Sequence, residues 1–535
     1  MDLFTRVGSG VLLVLFVLVC ATTPAAAQGA VPVPTVTGPI AVTAQSYPGM
    51  SASRIQAVVD LPKAGYVEEE FFVTGRANVY DWGADSTLTV KTAAAPYTTR
   101  ILVRRPADPR RFSGNVIVEL PNMARRFDWS MTWALSHDYF LERGDVWVGL
   151  SHAPVGVEAL KMFNATRYAP LSMASPTPAV ACPAAPPAAA GRQGGTAPVP
   201  TPVPAPVPTP APSPVEEGLK WDIISQVGAL LRAPSSVLSG FTVQRVYLTS
   251  HVGELPTYIA AIHPQARLAD GRPVYDGYVV YRNVTLVRIN QCAAAPAATD
   301  PRTILRNVSV PVMRIIPGET DVLNTFARRR EDSDAPGDRY RHYELAGAPH
   351  VDREMFRHFP SREEQTAVGT PPYLSFWPFL NVCDVEGDLL EIPIQIYAGD
   401  AAFANMDRWV KDGVAPPRAL RISFENGGTP QARVVKDQHG NALGGVRSPY
   451  LDVPNATYYV SRPGALLAPG VRCEEIGYKT PFSWAKMAAL YGSPKGYISK
   501  VNQSVDRLVK ERWLTESDGR TIKAEGATAG QPAAK

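Results

Sequence analysis

The chain has 535 residues, 45% of them hydrophobic and 19% charged, with a formal net charge of +4 and a pI near 8.7. So dilute a charge argues against nucleic acid or a membrane surface as a partner, and no basic patch with interleaved aromatics stands in the sequence. The length alone allows three or four domains, and the apolar fraction suffices for a large core.

Arg6 opens a short positive region, residues 11–19 are an unbroken apolar run, and Ala25-Ala26-Ala27 supplies the small side chains that a signal peptidase reads. This predicts a signal peptide over 1–27, cleavage before Gln28, and an exported mature chain of 28–535, periplasmic or secreted. The apolar run is shorter than the roughly 20 residues of a membrane span, so no span is expected. A lipid anchor on Cys20 is the rival, but Val19 is bulkier than the residue usual before a lipidated cysteine. Cys182, Cys292, Cys383 and Cys473 remain after cleavage. They allow two disulfides in three connectivities, or one disulfide and two free thiols, and their wide spacing argues against zinc.

Residues 69–80, 98–105, 115–120 (NVIVEL) and 145–150 (DVWVGL) read as strands, with a helix over 133–143. Residues 175–215 are nearly all Pro, Ala, Thr, Val and Gly, which predicts a solvated, disordered or polyproline II insertion within one domain. Beyond it, 221–232 and 255–262 read as helices, and 244–248, 275–281, 312–316 and 341–345 as strands. Strand–helix alternation predicts an α/β fold, a mostly parallel sheet flanked by helices, with chemistry at the carboxyl ends of its strands.

Two of those ends carry suitable groups. The strand 312–316 runs into Pro317-Gly318-Glu319-Thr320-Asp321, and the strand 341–345 into Ala346-Gly347-Ala348-Pro349-His350. An acid and a histidine so placed suit a general base and the carboxylate that orients it. Glu319 is the weaker acid candidate, otherwise a solvated loop carboxylate. A nucleophile belongs before both, on the turn after 244–248, which reads Leu248-Thr249-Ser250-His251-Val252-Gly253. Neither Ser250, flanked two residues away by Leu248 and Val252, nor Thr249, flanked by Tyr247 and His251, has the small neighbours of a G-x-S-x-G elbow.

Several segments together resemble a family of large exported bacterial α/β-hydrolases. They are 96–105 (PYTTRILVRR), 116–122 (VIVELPN), 147–151 (WVGLS), 221–226 (WDIISQ), 257–264 (TYIAAIHP), 318–322 (GETDV), 350–353 (HVDR), 437–447 (DQHGNALGGVR) and 481–491. The resemblance covers nearly the whole mature chain outside the Pro/Ala stretch. It implies the α/β-hydrolase fold, no cofactor, and attack on a small-molecule carboxylic ester. The family's elbow usually reads G-E-S-Q-S-A-G, with the first serine as nucleophile. Alignment backwards from Thr257 without a gap sets Thr249 there, whereas alignment along the strand sets Ser250, which is preferred.

The resulting triad is Ser250, His350 and Asp321, with oxyanion donors at the His251 backbone N–H and at Asn122. Gly149-Leu150-Ser151-His152-Ala153 is a second elbow-like run, but no strong helix pattern begins directly after Ser151. His350 with Asp352 could also be read as metal ligands, though without a third or fourth, and no metal site is expected. Residues 373–418, with Trp377, Phe379, Phe403 and Trp409, suit either a cap over a pocket or packing against the sheet. The loop 437–447 suits either a reach into the pocket or a plain turn. The rival function is a hydrolase-fold protein without catalysis, acting as a binding or envelope protein.

Overall fold

Ten strands join in one sheet in the computed structural model, which describes residues 29–83, 87–178, 182, 213–234, 237–282, 285–351, 353–370, 388–389, 393–462, 466–468 and 471–529. In chain order they are β1 (Thr35–Thr37), β2 (Tyr66–Trp82), β3 (Leu88–Pro106), β4 (Asn115–Leu120), β5 (Val146–Leu150), β6 (Arg245–Ser250), β7 (Gly277–Tyr281), β8 (Val312–Pro317), β9 (Ser333–Ala335) and β10 (Asp338–Leu345). Their order in space is β1-β2-β3-β5-β4-β6-β7-β8-β10-β9. The block from β5 to β10 is parallel, while β1 to β3 and β9 extend it antiparallel at the two edges. The eight strands expected from the sequence correspond to β2 to β8 and β10. Strands β1 and β9 are three residues each, too short for a two-residue period to show.

The period of two sorts the parallel strands into two cores. Val116, Val118, Val148, Leu248 and Val280 face one layer, which includes α3 (Lys220–Leu230) with its buried Trp221, Ile223 and Val227. Ile117, Trp147, Tyr247, Val279 and Met313 face the other, built from α1 (Met131–Arg143) and α8 (Ile394–Asp412). Glu119 is the odd residue of the apolar β4. Its carboxylate accepts from the Thr132 and Trp133 N–H groups and from Trp147 Nε1, at 2.7 to 2.9 Å, so it satisfies N–H groups at the buried start of α1 that have no partner within the helix.

Helix α2 (Pro154–Phe163) corrects the expectation of no helix after Ser151. Proline opens it at a position that tolerates the missing N–H, and Val157 and Leu160 are its buried anchors. The helix expected over 255–262 divides into one turn of α4 (Glu254–Thr257) and a π-helical turn, Tyr258–Ile262. Then come α5 (Gly318–Asn324), α6 (Arg353–Arg357) and α7 (Arg362–Ala367). Phe403 and Trp409 lie on α8 in the core beside the sheet, so for these two the packing alternative holds. Trp377 and Phe379 lie outside the described residues, as do residues 1–27, where a signal peptide is expected, and most of 175–215.

Cys182 is bonded to Cys292, and Cys473 is also in a disulfide, which removes the alternative of two free thiols. The loop 437–447 turns on Asp437, whose carboxylate accepts from the His439 and Asn441 N–H groups. Its far end buttresses β10, with the Ala346 N–H donating to the Val446 carbonyl at 3.1 Å. No helix among the described residues is long and apolar enough to cross a membrane.

Candidate active site

Asp321 and His350 come together at the carboxyl ends of neighbouring strands. Strand β8 delivers Asp321 in the first turn of α5, and β10 delivers His350 five residues past its end. The His350 Nδ1–H donates to both carboxylate oxygens of Asp321, each at 2.8 Å. Their side chains are 30% and 14% exposed, so the pair borders solvent without dissolving in it. Gly318 permits the approach, because it has a φ of +55° and an added Cβ would lie 2.0 Å from the Ala348 oxygen.

Three further contacts fix the histidine loop. Arg282, itself at a positive φ of 58°, donates from Nη2 to the His350 carbonyl. Gln395 of α8 donates to the Pro349 carbonyl at 2.8 Å. The Gly347 N–H points at Glu319 Oε1 at 3.4 Å. Glu319 is therefore no solvated loop carboxylate: it is buried, its Oε2 has no partner, and burial pushes its pKa up to about 7.

Ser250 is the last residue of β6, level with Leu120 of β4 and Val280 of β7. Its hydroxyl donates to the Leu120 carbonyl at 3.1 Å and accepts from the Val252 N–H at 3.1 Å. Thr249 points to the opposite face, 3.3 Å from the Thr132 hydroxyl. Positive φ occurs at neither residue nor at His251, so this turn lacks the strained backbone of a usual nucleophile elbow. His251 follows at the turn itself. Its ring stacks on Tyr281 at 4.1 Å and 9°, and neither ring nitrogen has a hydrogen-bond partner. Burial first, then the nearby Arg282 and His350, holds its pKa well below the ordinary 6.5.

The Asn122 side chain closes its own turn, with Oδ1 accepting from the Ala124 N–H at 3.0 Å. Its backbone pairs both ways with Trp129. Ser151 is buried and donates to Asp128, a member of a closed ionic network in which Arg100 bridges Asp128 and Glu70 while Arg167 binds Glu70. Buried charges persist only when so paired, and this hydroxyl belongs to their shell. Among the described residues no group of three His, Cys, Asp or Glu side chains could hold a metal ion, and Asp352 lies outside them.

Sequence reasoning missed the burial of Glu319, the Arg282 support and the unpartnered ring of His251. Only Arg282 carried a local signal, as a charged residue at the carboxyl end of a buried strand.

A mostly parallel sheet with helices on both faces is the architecture of an α/β hydrolase, and here an acid and a histidine follow two adjacent strands of it. The model of the alpha/beta hydrolase domain family matches residues 36–524, and the chain belongs to that family. Solved structures resemble it loosely. Poly(aspartic acid) hydrolase-1 from Sphingomonas sp. KT-1 is 12% identical, with 44% of this chain and 72% of that one covered at a TM-score of 0.23. Esterase Est22 is 10% identical, with 58% and 81% covered at 0.27. A bacterial esterase is 12% identical, with 52% and 86% covered at 0.22. No curated protein matches.

Proposed function

We propose that the protein is an exported serine hydrolase that cleaves a carboxylic ester of a small molecule without a cofactor. The observation that carries the reading is the two-oxygen grip of Asp321 on His350 Nδ1. That grip sets the tautomer, leaving Nε2 as the base, and stabilises the imidazolium that forms when it takes a proton. Ser250 then attacks the acyl carbon once its hydroxyl leaves Leu120. The proton passes to His350 and on to the alcohol, which leaves as the ester C–O bond breaks. Water, giving a proton to His350, then attacks the acyl-serine, and the carboxylic acid leaves as His350 returns that proton to Ser250. The His251 backbone N–H and Asn122 are the assigned oxyanion donors. Export is supported by the leader of 1–27 and by the Cys182–Cys292 bond, since disulfides persist in oxidising compartments.

A fluorophosphonate probe tests the reading. It should label the mature protein and Ser151→Ala, and fail on Ser250→Ala. No labelled serine, together with no turnover of p-nitrophenyl esters, would favour the second reading: a hydrolase-fold binding protein without catalysis. The doubly bonded Ser250 hydroxyl on an unstrained turn is the observation in its favour.

A further inference from the structure

In the strand-to-helix turn after β6, Ser250 is followed at once by His251, whose imidazole is buried there. The ring lies flat on Tyr281, the last residue of β7, and the next residue, Arg282, reaches back to the His350 carbonyl. Histidines 251 and 350 thus stand on either side of one Tyr-Arg step. The residue is only 6% exposed, and a neutral imidazole has one N–H to donate and one lone pair to accept with. Both go unused here. Buried polar atoms in folded proteins nearly always find partners, and a group left without one calls for an explanation. An apolar ring would stack on Tyr281 as well and leave nothing unsatisfied.

We infer that the His251 side chain is a substrate-contacting residue, which gives its ring N–H to an oxygen of the bound ester beside His350. The inference rests on the ester-hydrolase reading and adds to the backbone donor of the same residue. Burial with Arg282 close by keeps the ring neutral, so it meets the ester as a directional donor rather than a charge. Its fixed stack on Tyr281 means that little reorganisation is needed when a substrate oxygen arrives. The atoms covering the ring must give way as the ester enters.

The test compares His251→Phe, which keeps the stack and removes both nitrogens, with His251→Gln, which keeps a donor. With p-nitrophenyl butyrate, kcat/KM should fall about a hundredfold in the Phe variant and recover in part in the Gln variant. The melting temperature of the Phe variant should hold or rise, so that the fall in kcat/KM is not a loss of folding. The ring nitrogens are then followed by NMR in the Ser250→Ala protein while the intact ester is added, and the His251 signal should shift. Turnover that vanishes in Ser250→Ala and stays unchanged in His251→Phe overturns the inference and leaves the hydrolase standing. A wild-type protein inert to the ester overturns the hydrolase. In that case a shifted His251 signal upholds contact with the ester, and an unmoved one rejects it.

Discussion

Gly318 lies so close to the Ala348 carbonyl that a side chain on it would meet the oxygen at 2.0 Å. The two residues belong to the loops presenting Asp321 and His350, so this contact sets how near acid and imidazole stand. Gly318→Ala adds the strain of a positive φ to that clash. The strain alone should cost about 1–3 kcal/mol in chemical denaturation, the clash adds to it, and ester turnover should fall more than the stability loss explains. Unchanged turnover would separate the contact from the site.

Asp321→Asn removes the carboxylate grip while keeping the volume. Turnover should fall by about a thousandfold or more, through loss of the tautomer and of support for the imidazolium, with KM nearly constant. Asp321 is part-exposed, so the melting temperature should move little. A variant that keeps most of its kcat would reject the acid assignment.

Ser151→Ala addresses the other elbow-like serine. The hydroxyl donates to Asp128 in a fully buried setting, so its removal should cost about 1–3 kcal/mol of stability. Ester turnover at a temperature where the variant is folded should be unchanged. Lost turnover with intact folding would make Ser151 the nucleophile instead.

Glu319→Gln is read through pH. In the native chain Glu319 keeps its proton up to about pH 7, against an ordinary value of 4.5. Between those values the unfolded state binds fewer protons, so this group makes stability fall as pH rises through the window. The buried His263, His342 and His358, pushed down to about 4, 4 and 3, act in the opposite direction over more acidic pH. The readout is therefore the difference between variant and wild type. It should be small at pH 5 and favour the variant by on the order of 3 kcal/mol at pH 8. A difference that does not vary with pH would show that Glu319 is ionised in the native state.

Much of this was legible in the chain itself. Runs such as NVIVEL and VMRII announce buried strands by apolar content, and Asp321 and His350 draw notice because each follows such a strand at once. What escaped depends on neighbours distant in sequence. Glu319 looks like any loop carboxylate until β10 and its loop close over it. The ring of His251 gains its meaning from Tyr281, thirty residues on. Helix α2 was hidden by Gly156 and two valines, poor helix formers that tertiary packing overrides.

The Cys182–Cys292 bond has a practical consequence for handling the protein. A single cut anywhere from 183 to 212 would leave Cys182 on the amino-terminal piece and Cys292 on the carboxyl-terminal one. The pieces would stay covalently joined, with β4 and β6 still side by side in the sheet. Nicked material should therefore migrate as one intact chain on a denaturing gel until a thiol reductant splits it in two.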